Sequence, residues 1–271
     1  MKVKNLQSWD ELENELQELE ISIKREGYGA HGLRFRGQPD GTWSLKTTLE
    51  RFKQSNKFDI SNYYSMMRRA KSRIETFTGT SCVLPEEGEL YNWLEKWSGD
   101  SEVLPALEYM TYLRHHGFPS PLLDWSRSPF VAAYFAFRDV FSCADSVAIY
   151  AYTEMWEEDK GYPSLPGEAN IKCLELYVTK ADRRHFLQQS TYTVCTRKEE
   201  ATWYFCNHEE AFTTRFERPN LLWKFILPSS ERKRALEKLE RYNINAYSLF
   251  QSEDSILETI LLRDYLSIRY F

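Results

Sequence analysis

The chain lacks any long apolar segment. None of its 271 residues falls in an apolar run close to the roughly 18 residues that a membrane-spanning helix needs. The first residues, MKVKNLQSWDELENE, are acidic and lack the apolar region of a secretory signal peptide. We therefore expect neither a membrane span nor a membrane partner.

Cysteine is scarce and irregularly spaced. The five cysteines are odd in number, and no two have the C-x-x-C spacing of a zinc site. The adjacent histidines His115 and His116 belong to no H-x-x-x-H pattern and have no carboxylate at ligand spacing, so no metal site is predicted. Free thiols are typical of a reducing compartment, and we expect a cytoplasmic protein.

The signatures of several common protein classes are also absent. The chain has no G-x-S-x-G elbow, no P-loop and no G-x-G-x-x-G fingerprint. It has no excess of basic residues, since the net charge is -5 and the pI is about 5.7, which disfavours a general nucleic-acid binder. Arg34, Arg36, Lys46 and Arg51 could still form a local basic cleft, so a nuclease or RNA-processing role is kept as a third, weaker hypothesis.

Aromatic and apolar residues are abundant. Hydrophobic residues make up 42% of the chain and aromatic residues 15%, which suffices for a large core and favours an aromatic-lined groove. A capping box at Ser8 and leucines at helical spacing predict a helix over about 8–25. Amphipathic helices dominate the first half and strand-like segments the second, without βαβ alternation. This order predicts an α+β fold: a mainly antiparallel sheet flanked by helices, with a helix-rich N-terminal half.

No linker-like segment divides the chain. Gly/Ser-rich and Pro-rich stretches are missing between the predicted elements. We therefore predict one domain over residues 1–271, with a core at about 30–258. Residues 196–216, TRKEEATWYFCNHEEAFTTRF, are polar with scattered aromatics, and we predict that they form an irregular insertion.

The segment HHGFPSPLLDWSRSPFVAAYFAF (115–137) carries several polar residues in an apolar setting. A carboxylate at Asp124 would lose hydration there and would need a partner, for which Arg36, Arg127 and the turn at 117–120 are candidates. The pairing would serve either as a structural clamp or as part of a site. We expect Arg36 and Asp124 to meet in space and to shape one hollow.

Neighbouring residues suit anion binding. Arg36 directly precedes Gly37, so its guanidinium could reach a phosphate or a carboxylate without obstruction. Ser126 and Ser128 precede a helix start, where hydroxyl and N–H groups form either an anion-binding corner or an ordinary N-cap. Adjacent helical residues point to different faces, so at most one of the two histidines is expected at the site, and we assign His116; the alternative is a histidine that caps the C-terminal end of the helix.

Four segments of the chain resemble the FRG domain. This family is named for a Phe-Arg-Gly sequence, which opens FRGQPDGTWSLKTTLER (35–51), and HHGFPSPLLDWSRSPF resembles its second signature. RHFLQQSTY (184–192), with Ser190 in place of the usual Gly, and NAYSLFQSEDSI (245–256) resemble two later elements. The resemblance spans about residues 30–258.

FRG domains are distantly similar to the ADP-ribosyltransferase superfamily. This similarity implies a related fold and NAD as a substrate, with no permanently bound cofactor. It implies that Arg36 binds the NAD diphosphate and that Tyr134 stacks on nicotinamide. The cofactor-binding residues that we predict are Arg36, Gly37, Ser126, Ser128 and Tyr134. The catalytic residues that we predict are Arg36, His116, Asp124 and Gln189.

The late acidic position of the superfamily is occupied here by Gln188 or Gln189. An amide cannot act as a general base or supply the charge of a carboxylate, so Glu199, Glu200 or Asp124 would have to do so. The first hypothesis is thus an NAD-using enzyme, an ADP-ribosyltransferase or an NAD glycohydrolase, in the role of a toxin or defence effector. The alternative is a non-catalytic domain that senses a nucleotide or another partner.

Overall fold

The computed structural model describes residues 1–25, 32–97, 104–153, 167–174, 183–212 and 222–266. The described chain contains ten α-helices: α1 (Trp9–Arg25), α2 (Thr48–Lys53), α3 (Ile60–Thr78), α4 (Glu87–Lys96), α5 (Leu107–His115), α6 (Pro129–Phe137), α7 (Arg183–Leu187), α8 (Arg232–Arg241), α9 (Ala246–Phe250) and α10 (Glu253–Leu266). The same residues contain nine β-strands: β1 (Lys2–Asn5), β2 (Arg34–Gln38), β3 (Lys57–Asp59), β4 (Leu122–Ser126), β5 (Ser146–Tyr152), β6 (Asn170–Leu174), β7 (Ser190–Glu199), β8 (Thr202–Cys206) and β9 (Leu222–Pro228).

Helix α1 begins where its first N–H groups find side-chain partners. The Ser8 hydroxyl accepts a hydrogen bond from the N–H of Glu11 (3.3 Å), and the Glu11 carboxylate accepts one from the N–H of Gln7 (2.7 Å). Apolar side chains then recur every three or four residues, and the inward-facing ones are buried: Trp9, Leu12, Leu16, Leu19 and Ile23. The helix predicted over about 8–25 is confirmed.

The strands form one sheet in the order β1-β9-β5-β2-β4-β7-β8-β3, and β6 also pairs with β7. All neighbouring strands are antiparallel except β1 and β9, which are parallel. The predicted α+β fold, a mainly antiparallel sheet flanked by helices, is therefore confirmed. Because β1 pairs with β9, the first and the last strand of the described chain are neighbours in the sheet. That the whole chain is one domain stays a prediction.

Helix α6 lies directly on β2, and Gly37 makes this close contact sterically feasible. A Cβ atom placed on Gly37 would lie 1.9 Å from the backbone oxygen of Ala132 and 2.6 Å from the backbone nitrogen of Ala136. No side chain fits there, so the glycine is required by helix packing. This contact holds the start of α6 beside Arg36, the residue that precedes the glycine.

Buried apolar residues form three clusters around the sheet. The first joins α1, α6, α8 and α10 to β2, β5 and β9. The second joins α3, α4 and α5 to β4, β7 and β8. In β5 the side chains of residues 147, 149 and 151 belong to the first cluster and those of 148, 150 and 152 to the third, as expected for a strand covered on both faces. None of the described helices is both long and apolar enough to cross a membrane.

Two predicted segments differ from the structure. Residues 196–216 are not an irregular insertion over their described part, because 196–199 extend β7 and pair with β8 in a hairpin. The alternation of Thr202 to Cys206 is a strand signal that the surrounding polar residues obscured. No strand was predicted between the histidines and Ser128, where residues 122–126 form β4 between β2 and β7.

Candidate ligand-binding site

A cavity of about 420 Å³ opens where β2, β4 and β7 meet the ends of α5, α6, α7 and α9. Its size falls within the range of small-molecule sites. Its wall combines charged and polar side chains with rings. The charged and polar lining residues include Arg36, Arg114, His115, Asp124, Arg184 and Gln188, and the aromatic ones are Phe35, Trp125, Phe135, Tyr192 and Phe250.

Asp124 projects from β4 into this cavity and forms a two-pronged ion pair with Arg114, the residue before the last one of α5. The side chain of Arg114 is only 10% exposed, whereas that of Asp124 is 45% exposed. Desolvation acts to raise the pKa of Asp124, but the charge and hydrogen bonds of Arg114, aided by Arg36, outweigh it and leave the pKa below its usual value. The carboxylate is therefore ionised at neutral pH.

The residue that forms the ion pair with the Asp124 carboxylate was not among the predicted partners, although Arg36 does act on it by its charge. We predicted Arg36, Arg127 or the turn at 117–120, whereas Arg114 forms the ion pair. Arg127 is exposed, and its backbone N–H donates to the carbonyl of Gln189 (3.0 Å). The signal for Arg114 is the short connection between the end of α5 and the start of β4, which places the last turn of the helix next to Asp124.

Arg36 and Asp124 do meet in this hollow, though through the backbone. Nη1 of Arg36 donates to the main-chain carbonyl of Asp124 (2.8 Å), while its Nε is buried and has no hydrogen-bond partner among the described residues. Desolvation is the main cause that lowers the pKa of Arg36 to about 10; attraction by Asp124 opposes it, and repulsion by Arg114 and Arg51 adds to it. The guanidinium stays charged at neutral pH and has a buried donor to offer.

The described lining of the cavity carries an excess of positive charge. Two guanidinium groups, those of Arg36 and Arg114, lie near one carboxylate, that of Asp124, which is the only acidic residue among the described lining residues. Buried guanidinium groups in excess of carboxylates repel one another. An anion placed between them would offset this repulsion, so the arrangement favours an anionic ligand.

The histidine that reaches the cavity is His115. Its Nε2 lies 3.0 Å from the hydroxyl oxygen of Tyr192, and both residues line the cavity. His116, which we assigned to the site, is exposed and lies against the ring of Tyr112 at 4.4 Å between centroids. The structure therefore places His116 outside the cavity lining, because the last turn of α5 directs the two adjacent side chains to different faces.

The two serines bond mainly to each other and to the local backbone. The Ser126 hydroxyl donates to the carbonyl of Gln188 (2.7 Å) and accepts from the N–H of Ser128 (3.0 Å). The Ser128 hydroxyl accepts from the N–H of Val131 (3.3 Å) and so caps α6. Ser126 lines the cavity and Ser128 does not. Ser128 is therefore an ordinary N-cap of α6, and its position does not support the alternative in which it helps to bind an anion.

Tyr134 is not placed to stack on a ligand. It lies on α6 with 1% of its surface exposed, outside the cavity lining, and its hydroxyl donates to the carboxylate of Glu258 (2.9 Å). The ring that α6 presents to the cavity is that of Phe135. Helix α6 is apolar on all sides, so its sequence gave no indication of which ring would face a ligand.

Of the two glutamines, Gln188 reaches the cavity and donates from Nε2 to the carbonyl of Leu249 (3.1 Å). Gln189, which we predicted to be catalytic, is exposed in a turn with a φ of 49° and lies outside the lining. Glu199, at the end of β7, forms ion pairs with Arg197 of the same strand and with Lys57 of β3. Glu200 is exposed in the turn between β7 and β8. Asp124 is thus the one carboxylate of the three candidates that lines the cavity.

Comparison with known proteins bears on the first half of the chain. The family model of the FRG domain matches residues 31–144. The resemblance to the FRG domain is therefore confirmed over residues 31–144. The match covers β2 to α6 and therefore the Arg36, Arg114 and Asp124 side of the cavity, but not β7, α7 or α9. No curated protein and no solved structure matched the chain. The similarity of the chain to ADP-ribosyltransferases stays a prediction.

Among the described residues, no three histidine, cysteine or acidic side chains cluster in a way that could hold a metal ion. The five cysteines are free, and Cys195 and Cys206 face each other across β7 and β8 with their sulfur atoms 3.4 Å apart. Their thiols are buried, and burial is the main cause that raises the pKa of Cys195. A raised pKa makes a thiol a poor nucleophile, so this pair is unsuited to covalent catalysis.

Proposed function

We propose that the cavity binds a nucleotide, with its phosphate groups near Arg36 and Arg114. The observation that carries this proposal is the buried guanidinium of Arg36, because the nearby carboxylate of Asp124 forms its ion pair with Arg114 and not with Arg36. The Nε of Arg36 is buried without a partner among the described groups, and a phosphate oxygen is a strong acceptor for such a donor. A neutral ligand would leave the charge of Arg36 uncompensated.

The rest of the cavity suits the ring-bearing part of a nucleotide. Phe135 and Phe250 lie edge to face with their centroids 5.9 Å apart, and both line the cavity. The guanidinium of Arg184 lies over the ring of Phe250 at 5.6 Å and brings positive charge to the same end. A volume of about 420 Å³ is large for a free phosphate ion, and these rings give a base a surface to pack against.

The finer proposal is that the nucleotide is NAD and that the protein cleaves its bond to nicotinamide, as an NAD glycohydrolase or an ADP-ribosyltransferase in a toxin or defence role. Asp124 supports it, since this carboxylate is ionised and 45% exposed. Its negative charge could stabilise the positive charge that develops on the ribose as the bond breaks. Gln188 could contribute a hydrogen bond but no charge.

The alternative, a domain that binds a nucleotide without reacting with it, rests on the same carboxylate. Both oxygens of Asp124 accept hydrogen bonds from Arg114, which neutralises part of the charge that catalysis would use. This alternative keeps the ligand and its position but excludes turnover. The two proposals therefore share a binding prediction and differ in a chemical one.

One experiment tests both statements. Thermal denaturation is measured with ADP-ribose, ADP, NAD and adenosine, and nicotinamide release from NAD is followed in parallel. We expect ADP-ribose and ADP to raise the melting temperature in proportion to their saturation of the site, and adenosine, which lacks phosphate, to have little effect. Release of nicotinamide supports the enzyme, and stabilisation without release supports the sensor. The binding proposal is wrong if none of the phosphate-bearing ligands stabilises the protein.

A further inference from the structure

His115 and Tyr192 form a hydrogen-bonded pair in the wall of the cavity, beside its carboxylate. His115 is the last residue of α5, and Tyr192 lies on β7 directly opposite Asp124 of β4. The Nε2 of His115 and the hydroxyl oxygen of Tyr192 are 3.0 Å apart. The ring of Tyr192 is almost fully buried and stacks on that of His185 at 6.0 Å and 17°, which limits its movement. The pair is thus held at a defined place in the cavity.

We propose that Tyr192 and His115 transfer the proton in hydrolysis of a nicotinamide dinucleotide in this cavity. The inference rests on the proposed nucleotide site and adds the groups that would activate water there. Imidazole is the usual side-chain base near neutral pH, and a hydroxyl bonded to it can pass on a proton, as a serine does beside a histidine. Neither residue was among those predicted to be catalytic.

The proposed step balances as follows. The oxygen of a water molecule bonds to the anomeric carbon of the nicotinamide ribose, and the carbon–nitrogen bond to nicotinamide breaks. The electron pair of that bond returns to the ring nitrogen, which becomes neutral. One water proton moves to the oxygen of Tyr192 while the hydroxyl proton of Tyr192 moves to Nε2 of His115. The products are ADP-ribose, nicotinamide and one proton, which the imidazolium later releases to solvent.

Position and charge in the cavity agree with these roles. Asp124 lies opposite Tyr192 in the strand register, so the group that activates water and the carboxylate that opposes positive charge lie on neighbouring strands. The charge of Asp124 is close enough to interact with that of a protonated His115. The carboxylate therefore also favours the imidazolium that the transfer creates.

The test compares three variants in the full-length protein. Tyr192→Phe removes one oxygen atom, His115→Gln removes the base, and His116→Gln makes the same change at the adjacent exposed residue. We expect the first two to lower kcat for nicotinamide release by about 100-fold or more, the range of general acid–base catalysis. The dissociation constant of ADP-ribose and the KM for NAD should stay within about threefold, since neither variant removes a guanidinium. The His116 variant should retain the activity of the parent.

The outcomes separate this inference from the proposed function. Binding of ADP-ribose by the parent with no nicotinamide release, or full activity in Tyr192→Phe, overturns the proton-transfer pair and leaves the nucleotide site standing. If the variants weaken the binding of ADP-ribose and leave kcat unchanged, the pair only shapes the cavity, and the proton-transfer proposal is also overturned. If the parent binds no phosphate-bearing nucleotide, both proposals are wrong. Circular dichroism of each variant checks that it is folded, and Tyr192→Phe, the smallest change, decides the result if His115→Gln fails to fold.

Discussion

Two arginine–carboxylate pairs in this protein have the same local geometry and different surroundings. Arg138, the residue that follows α6, and Glu258 of α10 form a two-pronged ion pair, in which Nε of Arg138 lies 2.9 Å from Oε1 of Glu258. The hydroxyl of Tyr134 donates a hydrogen bond to the same carboxylate. There one positive charge meets one negative charge. The pair of Arg114 and Asp124 lies in the cavity with a further guanidinium group, that of Arg36.

The difference shows how a structural ion pair and a ligand site can be told apart. The carboxylate of Glu258 accepts hydrogen bonds from both the guanidinium of Arg138 and the hydroxyl of Tyr134. The same guanidinium lies over the ring of Phe250, at 4.8 Å from its centroid. In the cavity, the pairing of Arg114 with Asp124 leaves the charge of Arg36 uncompensated and its Nε without a partner among the described residues. Excess charge, and not the ion pair itself, marks the candidate site.

The largest effect is expected from Gly37→Ala, which would disturb both regions at once. The new methyl group would overlap the backbone of α6, the helix that carries Tyr134 and leads to Arg138, at 1.9 Å from an oxygen atom. Backbone cannot move aside as a side chain can, so we expect a loss of more than about 3 kcal/mol in the free energy of unfolding. Urea denaturation measures it. Gly88→Ala, in a helix and with no atom within 4 Å, should be neutral or stabilising by up to about 1 kcal/mol.

Replacing Arg114 or Arg138 by alanine shows how much each ion pair contributes to the free energy of unfolding. Arg114→Ala strands the carboxylate of Asp124 and should cost about 2 kcal/mol of unfolding free energy, less than a fully buried pair because Asp124 is 45% exposed. Arg138→Ala should cost about 1 kcal/mol, since both partners there are partly exposed. Chemical denaturation of the two variants gives the ranking. A larger loss of unfolding free energy in Arg138→Ala than in Arg114→Ala would contradict the view that Arg114, the more deeply buried of the two arginines, contributes more to stability.

A smaller effect is expected from pH. The pKa of Asp124 is lowered in the folded protein, so the unfolded chain binds a proton at this group more readily. Its contribution to stability is complete above the unfolded pKa of about 4 and is lost as the pH falls through the folded value. The stability difference between the parent and Asp124→Asn should therefore shrink on acidification below about pH 4. Denaturation curves between neutral and acidic pH test it, and a difference that grows towards low pH would have the wrong sign.

Much of the fold could be predicted because its signals are local. The spacing of apolar residues and the capping serine predict α1, and the order of helical and strand-like segments predicts the fold class. Strand β4 was missed because its polar residues face a cavity and interrupt the apolar pattern. Strand β8 was missed because it lies in a polar hairpin, where neighbouring residues mask its alternation.

The candidate site could be predicted only in part. The motifs indicated that Arg36 and Asp124 belong together, and the structure brings them into one cavity. The partner Arg114, and the choice of His115 over His116, depend on how the last turn of α5 packs against β4 and β7, which no local pattern specifies. Tyr134 was misplaced for a similar reason, since an all-apolar helix does not reveal which of its faces meets the cavity.

The central claim is that the uncompensated charge of Arg36 makes this cavity a ligand site. The most direct measurement is calorimetric titration of ADP-ribose into the parent, Arg36→Gln and Tyr134→Phe. We predict that Arg36→Gln weakens binding by about 10- to 100-fold, the value of one or two charge-assisted hydrogen bonds, without lowering the melting temperature of the free protein. Tyr134→Phe should bind like the parent. Equal affinity in Arg36→Gln and the parent, or a greater loss of affinity in Tyr134→Phe, would contradict the claim.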